Sequence, residues 1–299
     1  MIESVLSGAV RGGTSILYAS LGEVVSERAG VINLGTEGSM LCGALAAYAV
    51  GIETGSPWLG AVAGVAAGGL LAAVFALLVI DRRANQLATG LVVTFFAIGL
   101  TGLFGQDYVG QGVEGFSSWA VPGLSEIPVL GSVLFDHDPL TYLSFAAAPL
   151  LWWVLWRSHP GLKVRAAGER PEVLEAFGSS PRRVRYAAVT AGGALAGLGG
   201  AQLSTAFALN WSENMTVGRG FVAVALVIFA AWDPRKAVGG AYLFSGAIAL
   251  QLQLQARGVE VSRYLLEAAP YLTVIVILAL LSRRRIHAGP EALDRVFDV

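Results

Sequence analysis

Long apolar windows, separated by short charged or Gly/Pro-rich segments, run through most of the chain. The window at residues 58–80, WLGAVAGVAAGGLLAAVFALLVI, carries no ionisable group, and about 20 apolar residues suffice to cross roughly 30 Å of hydrocarbon. Because unpaired backbone groups are costly in hydrocarbon, each continuous window predicts a transmembrane helix. The pattern predicts about nine spans, near residues 4–22, 34–51, 58–80, 87–105, 140–157, 185–207, 217–232, 237–256 and 264–282.

Composition supports a bilayer environment. Of the 299 residues, 55% are hydrophobic and 14% are charged, whereas about 25% is the usual charged fraction of a soluble domain. The predicted fold class is therefore all-α, a polytopic transmembrane helical bundle that forms one domain over residues 1–299. The N-terminal sequence MIESVLSGAV contains an acid where a signal peptide has basic residues, which predicts a retained first span.

The basic residues predict the orientation of the bundle. Sixteen of the 20 Lys and Arg residues lie in odd-numbered connections or after the last window. Since basic residues concentrate in cytoplasmic loops, we expect these connections and the C-terminus in the cytoplasm and the N-terminus outside. The longest external segment, at about 105–139, contains acids but no Lys or Arg, which favours the same orientation.

Several kinds of chemistry are missing from the sequence. Neither lysine, Lys163 or Lys236, lies in a Walker A pattern, so no P-loop for ATP is predicted. Cys42 is the only cysteine, which excludes a disulfide within the chain. No serine lies in a convincing GxSxG elbow. Three isolated histidines are expected to be solvated and not to bind metal: His137, His159 and His287.

The stretch SERAGVINLGTEG, residues 26–38, carries ionisable groups between the first two windows. Glu27 and Arg28 are expected at the inner membrane boundary, where a charge costs little. Glu37 lies about one turn inside the second span, so we expect it to face the bundle interior or water. Asn33, Thr36 and two glycines predict a helix that starts late or is interrupted, with free amides at its N-terminus.

A second short motif is similar to the first. VGRG, at 217–220, parallels GTEG, at 35–38, but the two spans begin on opposite sides of the membrane. This relation is what an inverted repeat would produce, and it would place Glu37 and Arg219 at equivalent positions in a central gate. Further candidates for the solute path, each with packing as the alternative, are Thr94, Phe95, Phe96, Asn210, Trp211, Gln251, Gln253 and Gln255.

The cytoplasmic segment at 159–185 predicts a short surface helix. Pro171 suits the first helical position, Glu172 and Glu175 complement the positive helix N-terminus, and Gly178 suits the C-terminus. Such a helix could lie in a groove of a partner protein or pack against its own bundle. Its apolar face would consist of Val173, Leu174 and Phe177.

Three blocks, at 22–47, 161–201 and 215–247, carry a resemblance to a known family. They resemble the permease subunits of ABC importers in the branched-chain amino acid, simple sugar and nucleoside group, and most closely its nucleoside and simple-sugar branch. The resemblance implies a type II-like importer permease with a cytoplasmic coupling loop at about 158–185. In that loop it implies ATPase-coupling roles for Arg170, Pro171, Glu172, Glu175, Ala176, Phe177 and Gly178.

The same resemblance implies the partners of the chain. These are a second permease of similar fold in a heterodimer, an ATP-binding ATPase subunit, an extracytoplasmic substrate-binding lipoprotein and the lipid of a bacterial inner membrane. No nucleic acid polymer is expected. The chain itself would bind no cofactor and have no catalytic site, because the ATPase uses ATP and Mg²⁺. The alternatives are an ion-coupled secondary transporter, or an ABC permease for a simple sugar.

The GxxxG patterns at 64–68 and 193–197 allow close helix packing or dimerisation. The sequence alone does not decide between packing within the chain and dimerisation.

Overall fold

The computed structural model describes residues 2–258, 262–281 and 289–293. Helices dominate this part of the chain. The first six α-helices are α1 (Ile2–Arg28), α2 (Thr36–Thr54), α3 (Pro57–Ala76), α4 (Gln86–Gly105), α5 (Leu130–Leu134) and α6 (Pro139–Arg157). They are followed by α7 (His159–Glu169), α8 (Pro171–Ala176), α9 (Pro181–Gln202), α10 (Arg219–Phe229), α11 (Pro234–Ala256) and α12 (Arg263–Leu281).

Helices occupy all nine apolar windows, which confirms the predicted all-α bundle. Two of them extend into π-helical turns, α3 at Leu77–Asp81 and α9 at Leu203–Phe207. By length and composition, four of the described helices qualify as membrane-spanning: Pro57–Asp81, Gln86–Tyr108, Pro139–Arg157 and Pro234–Ala256. The prediction of nine crossings stays a prediction.

Helix α10 differs from the predicted span at 217–232. It has 11 residues and is therefore about 16 Å long, roughly half of a hydrocarbon core. The segment before it is irregular, with positive φ at Leu209, Asn214 and Val217. Gly218 precedes the helix in the left-handed conformation, with φ of 78°, which favours glycine. The chain thus enters α10 through a strained, non-helical approach.

Helix starts follow ordinary capping chemistry. Proline occupies the first turn of α3, α6, α7, α8, α9 and α11, where its missing N–H costs nothing. At most of these starts, and at the start of α4, a preceding polar side chain accepts a hydrogen bond from a free amide of the first turn. These capping residues are Ser56, Asn85, Asp138, Ser158, Ser180 and Asp233.

Helix α9 lies at the centre of the bundle, against α1, α2 and α3. Glycines make these contacts close: Gly22 of α1 meets Gly192, and Gly43 of α2 meets Gly197. Gly68 of α3 approaches the backbone of Gly197 as well. The two GxxxG motifs therefore pack against each other within the chain, which explains them without a dimer.

The segment predicted to be external, at about 105–139, packs over one end of the bundle. A two-stranded antiparallel sheet, β1 (Trp119–Ala120) and β2 (Asp136–His137), pairs Trp119 with His137. Phe116 donates its N–H to Thr205 O in the π-helical turn of α9, at 2.9 Å. His137 is buried, so its predicted solvation is wrong. Burial lowers its pKa, although the hydrogen bond to Val133 O opposes that shift.

The other two histidines have separate outcomes. His159 is exposed at the start of α7, as predicted. His287 lies outside the described residues.

Candidate functional site

The start of α10 is held by a carboxylate from α2. Glu37 accepts hydrogen bonds from Thr216 Oγ1 at 2.5 Å, Gly218 N at 2.9 Å and Gly220 N at 2.6 Å. Glu37 itself is 2% exposed. Since a helix N-terminus carries a partial positive charge and unpaired amides, this carboxylate both caps α10 and compensates its dipole.

Arg219, the first residue of α10, connects the start of α10 to the middle of α1. Its Nη1 donates to Ser15 Oγ at 3.0 Å and to Gly12 O at 3.3 Å. Its Cζ lies 5.6 Å from the ring centroid of Phe207, within cation–π range. Because Ser15 is near the midpoint of the 27-residue α1, α10 begins at about half the depth of the bundle.

The end of α10 is held by the last two residues of α1. Glu27 accepts a short hydrogen bond from Trp232 Nε1, and Arg28 donates to the carbonyls of Ala231 and Trp232 at 3.3 and 3.2 Å. Both carbonyl residues have positive φ, a conformation that non-glycine residues adopt only when their surroundings impose it. Glu27 is buried, so its predicted place at a low-cost boundary is wrong.

Glu23 shapes the turn that connects α1 to α2. It accepts from Asn33 N at 2.7 Å and from Thr36 Oγ1 at 2.9 Å, and all three residues are buried. Asn33 Oδ1 in turn accepts from Gly35 N at 2.9 Å. These bonds satisfy the polar groups of a buried turn, which would otherwise be costly.

Both ends of the half-length helix α10 are therefore hydrogen-bonded to three residues, which we name the α10 clamp: Glu27, Arg28 and Glu37. The clamp contains no nucleophile and no general acid facing a cleft. The clamp holds α10 in position through hydrogen bonds, and a small displacement of the helix would break them. Helices interrupted at mid-depth, with the helix N-terminus facing the interior, are where transporters of several folds place solutes and gates.

The turn after α10 also carries an ion pair, between Asp233, which precedes α11, and Arg235 in the first turn of that helix. Asp233 accepts from the Arg235 side chain, with Nη2–Oδ2 at 2.9 Å. Burial raises the pKa of Asp233, but the hydrogen bonds from the Arg235 side chain and backbone outweigh it, so the pKa lies below its usual range. The carboxylate is therefore charged at neutral pH and stabilises the start of α11.

Helix α8 forms the short helix predicted for the segment at 159–185. Pro171 is its first residue, and Gly178 follows with φ of 71°. The apolar face is divided, because Leu174 is 5% exposed and anchors the helix to its own chain, while Phe177 is 83% exposed. Val173 is exposed too. The remaining predicted coupling residues lie on the surface, with Pro171 half-buried: Arg170, Glu172, Glu175 and Ala176.

The structure separates the remaining solute-path candidates by environment. Thr94 and Trp211 are buried among neighbouring helices, and Thr94 Oγ1 donates to Leu34 O at 3.1 Å. Packing explains both residues. Phe95 and Phe96 are exposed on α4, outside the hydrogen-bonded cluster around α10. The glutamines of α11 are half-buried and Asn210 is exposed: Gln251, Gln253, Gln255 and Asn210.

Reasoning from the sequence missed Glu23, Thr216 and Trp232. Glu23 is an ionisable residue one position after the first predicted window, so a slightly longer window would have included it. Thr216 and Trp232 flank α10 in the chain, but only the fold brings them to the carboxylates. Among the described residues, no group of three or more His, Cys, Asp or Glu side chains is arranged to hold a metal ion.

Comparisons with known proteins match nearly the whole chain. The family model described as the permease component of the branched-chain amino acid transport system matches residues 4–282. The chain is 40% identical over 296 residues to a putative glucose ABC transporter permease protein of Haloferax volcanii, covering 92% of this chain and 90% of the relative. No solved structure matches the chain.

Two further relatives have names that refer to nucleosides. The nucleoside ABC transporter permease protein of Lactococcus lactis subsp. cremoris is 31% identical, over 95% of this chain and 93% of the relative. The guanosine ABC transporter permease protein of Bacillus subtilis is 32% identical, over 88% and 87%. Haloferax volcanii and Bacillus subtilis each have a second similar permease protein, named for glucose and for guanosine, at 26% and 25% identity.

Proposed function

The chain belongs to the family of permease components of branched-chain amino acid transport systems, and on that premise we propose that it forms the translocation path of an ATP-driven importer. It is a multi-pass membrane protein of the ABC permease type. The solutes are nucleosides or related sugar-containing compounds. The chain acts as a transport subunit, and hydrolysis of ATP with Mg²⁺ belongs to a partner.

The names of the relatives and the charge of the site both support an uncharged solute. Two of the relatives are named for nucleosides and one for glucose. At the start of α10, the Glu37 carboxylate occupies amides that could otherwise attract an anion. A nucleoside therefore suits the site, and glucose is the second candidate because the relative named for it is 40% identical.

The exposure of Phe177 carries the proposal of an ATPase partner. Apolar side chains this exposed are ordinary when single, but Phe177 ends a helix whose Leu174 is anchored in the bundle. Glu172 and Glu175 surround it with charge on the cytoplasmic side. A rigid helix with one projecting aromatic residue fits the groove of a partner, and aromatic residues are common anchors of protein interfaces.

The full assembly that we propose contains three further kinds of subunit. A second permease is supported by the paired permease proteins of Haloferax volcanii and Bacillus subtilis. An ATP-binding subunit would dock on α8, and an extracytoplasmic lipoprotein would deliver the solute. The assembly would lie in a bacterial cytoplasmic membrane with the C-terminus of this chain in the cytoplasm.

The test is uptake into proteoliposomes that contain the chain with its co-purifying subunits and binding protein. Radiolabelled uridine, guanosine and glucose are supplied separately, with and without ATP. We expect ATP-dependent uptake of a nucleoside. Phe177→Ala should lower uptake and solute-stimulated ATPase activity by about tenfold or more, because an interface anchor is worth about 2 kcal/mol or more.

Leu162→Ala is the matched control for Phe177→Ala. Leu162 is 55% exposed on α7 of the same cytoplasmic segment but lies outside the predicted docking helix, so its variant should keep normal uptake. Uptake of glucose alone would support the importer mechanism and assign glucose, in place of a nucleoside, as the solute. Uptake driven by an ion gradient without ATP would contradict the importer itself.

A further inference from the structure

A basic groove lies at the cytoplasmic end of the bundle, between the end of α3 and the start of α9. It consists of two cavities, of about 450 and 800 Å³, that share Arg182. The smaller cavity is lined by Leu77, Ile80, Asp81, Arg82, Arg83 and Arg182. The larger cavity is lined by Ser180, Arg182, Arg183, Tyr186, Ala187 and Thr190. We call the two together the arginine groove.

The arginine groove keeps a net positive charge after its internal pairing. Asp81 receives two bonds from Arg182, Nε–Oδ1 at 2.7 Å and Nη2–Oδ2 at 2.8 Å. Tyr186 donates its hydroxyl to the same carboxylate at 2.7 Å. Within residues 2–258, 262–281 and 289–293, no carboxylate forms an ion pair with Arg82, Arg83 or Arg183. Three guanidinium groups therefore remain available to an anion.

The backbone helps to bring these charges together. The π-helical turn Leu77–Asp81 ends α3, and Arg83 follows with φ of 53°. Non-glycine residues adopt this conformation only at a cost, and here it lies within the short connection to α4. The result is that two consecutive arginines line one cavity beside the first turn of α9.

An apolar stripe continues from the groove along α3. Leu70, Val74 and Leu77 are exposed at helical spacing, on a helix long and apolar enough to span a membrane. In a bilayer, lipid chains would cover this stripe, while the arginines would lie at headgroup level on the cytoplasmic side. A ligand that satisfies both parts of the surface needs an anionic head and an apolar tail.

We propose that the arginine groove binds the phosphate headgroup of an anionic phospholipid, with its acyl chains along the Leu70, Val74 and Leu77 stripe. Arginine forks match phosphate oxygens, and basic pockets between transmembrane helices suit anionic headgroups. A free phosphate ester would satisfy the arginines but leave the stripe to other lipid chains. This site is independent of the solute path and of the identity of the solute.

The test measures lipid binding to the full chain, purified in detergent with its accompanying subunits. Native mass spectrometry records the retention of phosphatidylglycerol, with phosphatidylcholine as the zwitterionic comparison. We expect preferential retention of phosphatidylglycerol. The variant R82A/R83A/R183A should weaken it by about fivefold for each arginine removed, the worth of one basic residue near an anionic surface.

Two further variants make the test specific. R157A/K163A/K236A removes three exposed cytoplasmic cations outside the groove and should leave retention unchanged. R82K/R83K/R183K keeps the charge but loses the guanidinium forks, so its retention should lie between those of the parent and of R82A/R83A/R183A. Equal losses in the two alanine variants would indicate general charge attraction and overturn the proposal, as would unchanged retention in R82A/R83A/R183A.

Glycerol 3-phosphate separates a lipid from a free phosphate ester. It presents a phosphomonoester, with more negative charge than the phosphodiester of the lipid, but no acyl chains, so it should compete only weakly with phosphatidylglycerol. Binding of glycerol 3-phosphate as tight as that of the lipid would assign the groove to a soluble phosphate ester and overturn the proposal.

Discussion

Three glutamates are each at most 2% exposed: Glu23, Glu27 and Glu37. Glu27 and Glu37 accept hydrogen bonds from segments distant along the chain, and Glu23 accepts them from the turn that follows its own helix. The sequence rule for ionisable groups inside spans identified Glu37. It missed Glu23 and Glu27 because the first predicted span ended at residue 22, whereas α1 continues to Arg28. Hydropathy windows end where charges begin, and here the charges are inside the bundle.

Glu37 is the residue of the α10 clamp whose loss should affect transport most. Glu37→Ala leaves the donors of Thr216, Gly218 and Gly220 without their carboxylate, and each buried unpaired donor costs about 1–3 kcal/mol. We expect uptake to fall by at least about tenfold, while the protein still assembles through α1, α2, α3 and α9. Uptake in proteoliposomes and co-purification of the partner subunits measure the two effects.

Glu53→Ala is the matched control for Glu37→Ala. Glu53 lies at the other end of α2, where it is exposed and accepts a hydrogen bond from Tyr108, so its variant should transport normally. Normal uptake by Glu37→Ala would show that α10 does not need this carboxylate.

Trp232→Phe tests the other end of the clamp. The substitution keeps an aromatic ring but removes the only N–H that Trp232 directs to Glu27, leaving a buried carboxylate less satisfied. Because such losses cost about 1–3 kcal/mol, the apparent melting temperature should fall by a few degrees. Heating of the detergent-purified protein followed by size-exclusion chromatography measures it. Trp58→Phe, at an exposed tryptophan, should melt like the parent, and equal temperatures for all three proteins would contradict the prediction.

At the scale of helices, hydropathy located α10 and every helix of 19 or more residues, but it did not show where each ends, and it did not locate the 11-residue α7. The apolar residues of α10 continue through a non-helical turn at Ala231 and Trp232, so composition alone could not show that the helix ends at Phe229. Helix α8 was predictable because Pro171 and Gly178 mark its ends with specific backbone chemistry. Its Leu174 and Phe177 could not be told apart, since only the tertiary fold decides which one is covered.

The close crossing of α3 and α9 predicts that a large side chain has very different effects on folding at two glycines. A side chain at Gly197 would meet the backbone of Gly64 and Gly68, whereas one at Gly99 of α4 would meet nothing within 4 Å. Gly197→Leu should therefore abolish a monodisperse folded protein, because overpacking a backbone contact cannot be relieved by rotamer changes. Gly99→Leu should be tolerated. Fluorescence size-exclusion chromatography of the two variants compares them, and similar profiles would contradict the observed crossing.

At the scale of the whole molecule, the distribution of charge predicts which surface faces the cytoplasm. The described basic loops after α1, α3, α6 and α10 lie at one end of the bundle, and the acidic segment at 105–139 lies at the other. Four of the basic residues counted from the sequence, Arg283, Arg284, Arg285 and Arg295, lie outside the described residues. The orientation therefore stays a prediction, with a direct test.

Cysteine labelling in intact cells can determine the orientation. Cys42 is buried, so the parent protein should react little with a membrane-impermeant maleimide. Glu114→Cys places a thiol on the external segment and Lys163→Cys places one on α7, both at exposed positions. We expect the first to be labelled in intact cells and the second only after lysis. The reverse pattern would invert the assignment of both faces.

The glycine contacts around α9 have a mechanical consequence. Helices that slide during a conformational change do so by readjusting the side chains between them, and α1, α2, α3 and α9 meet at points where backbone touches backbone. Such contacts leave no layer of side chains to readjust. We expect these four helices to move as one rigid body. The hinge of the transport cycle would then lie at the ends of α10, where hydrogen bonds can break and re-form.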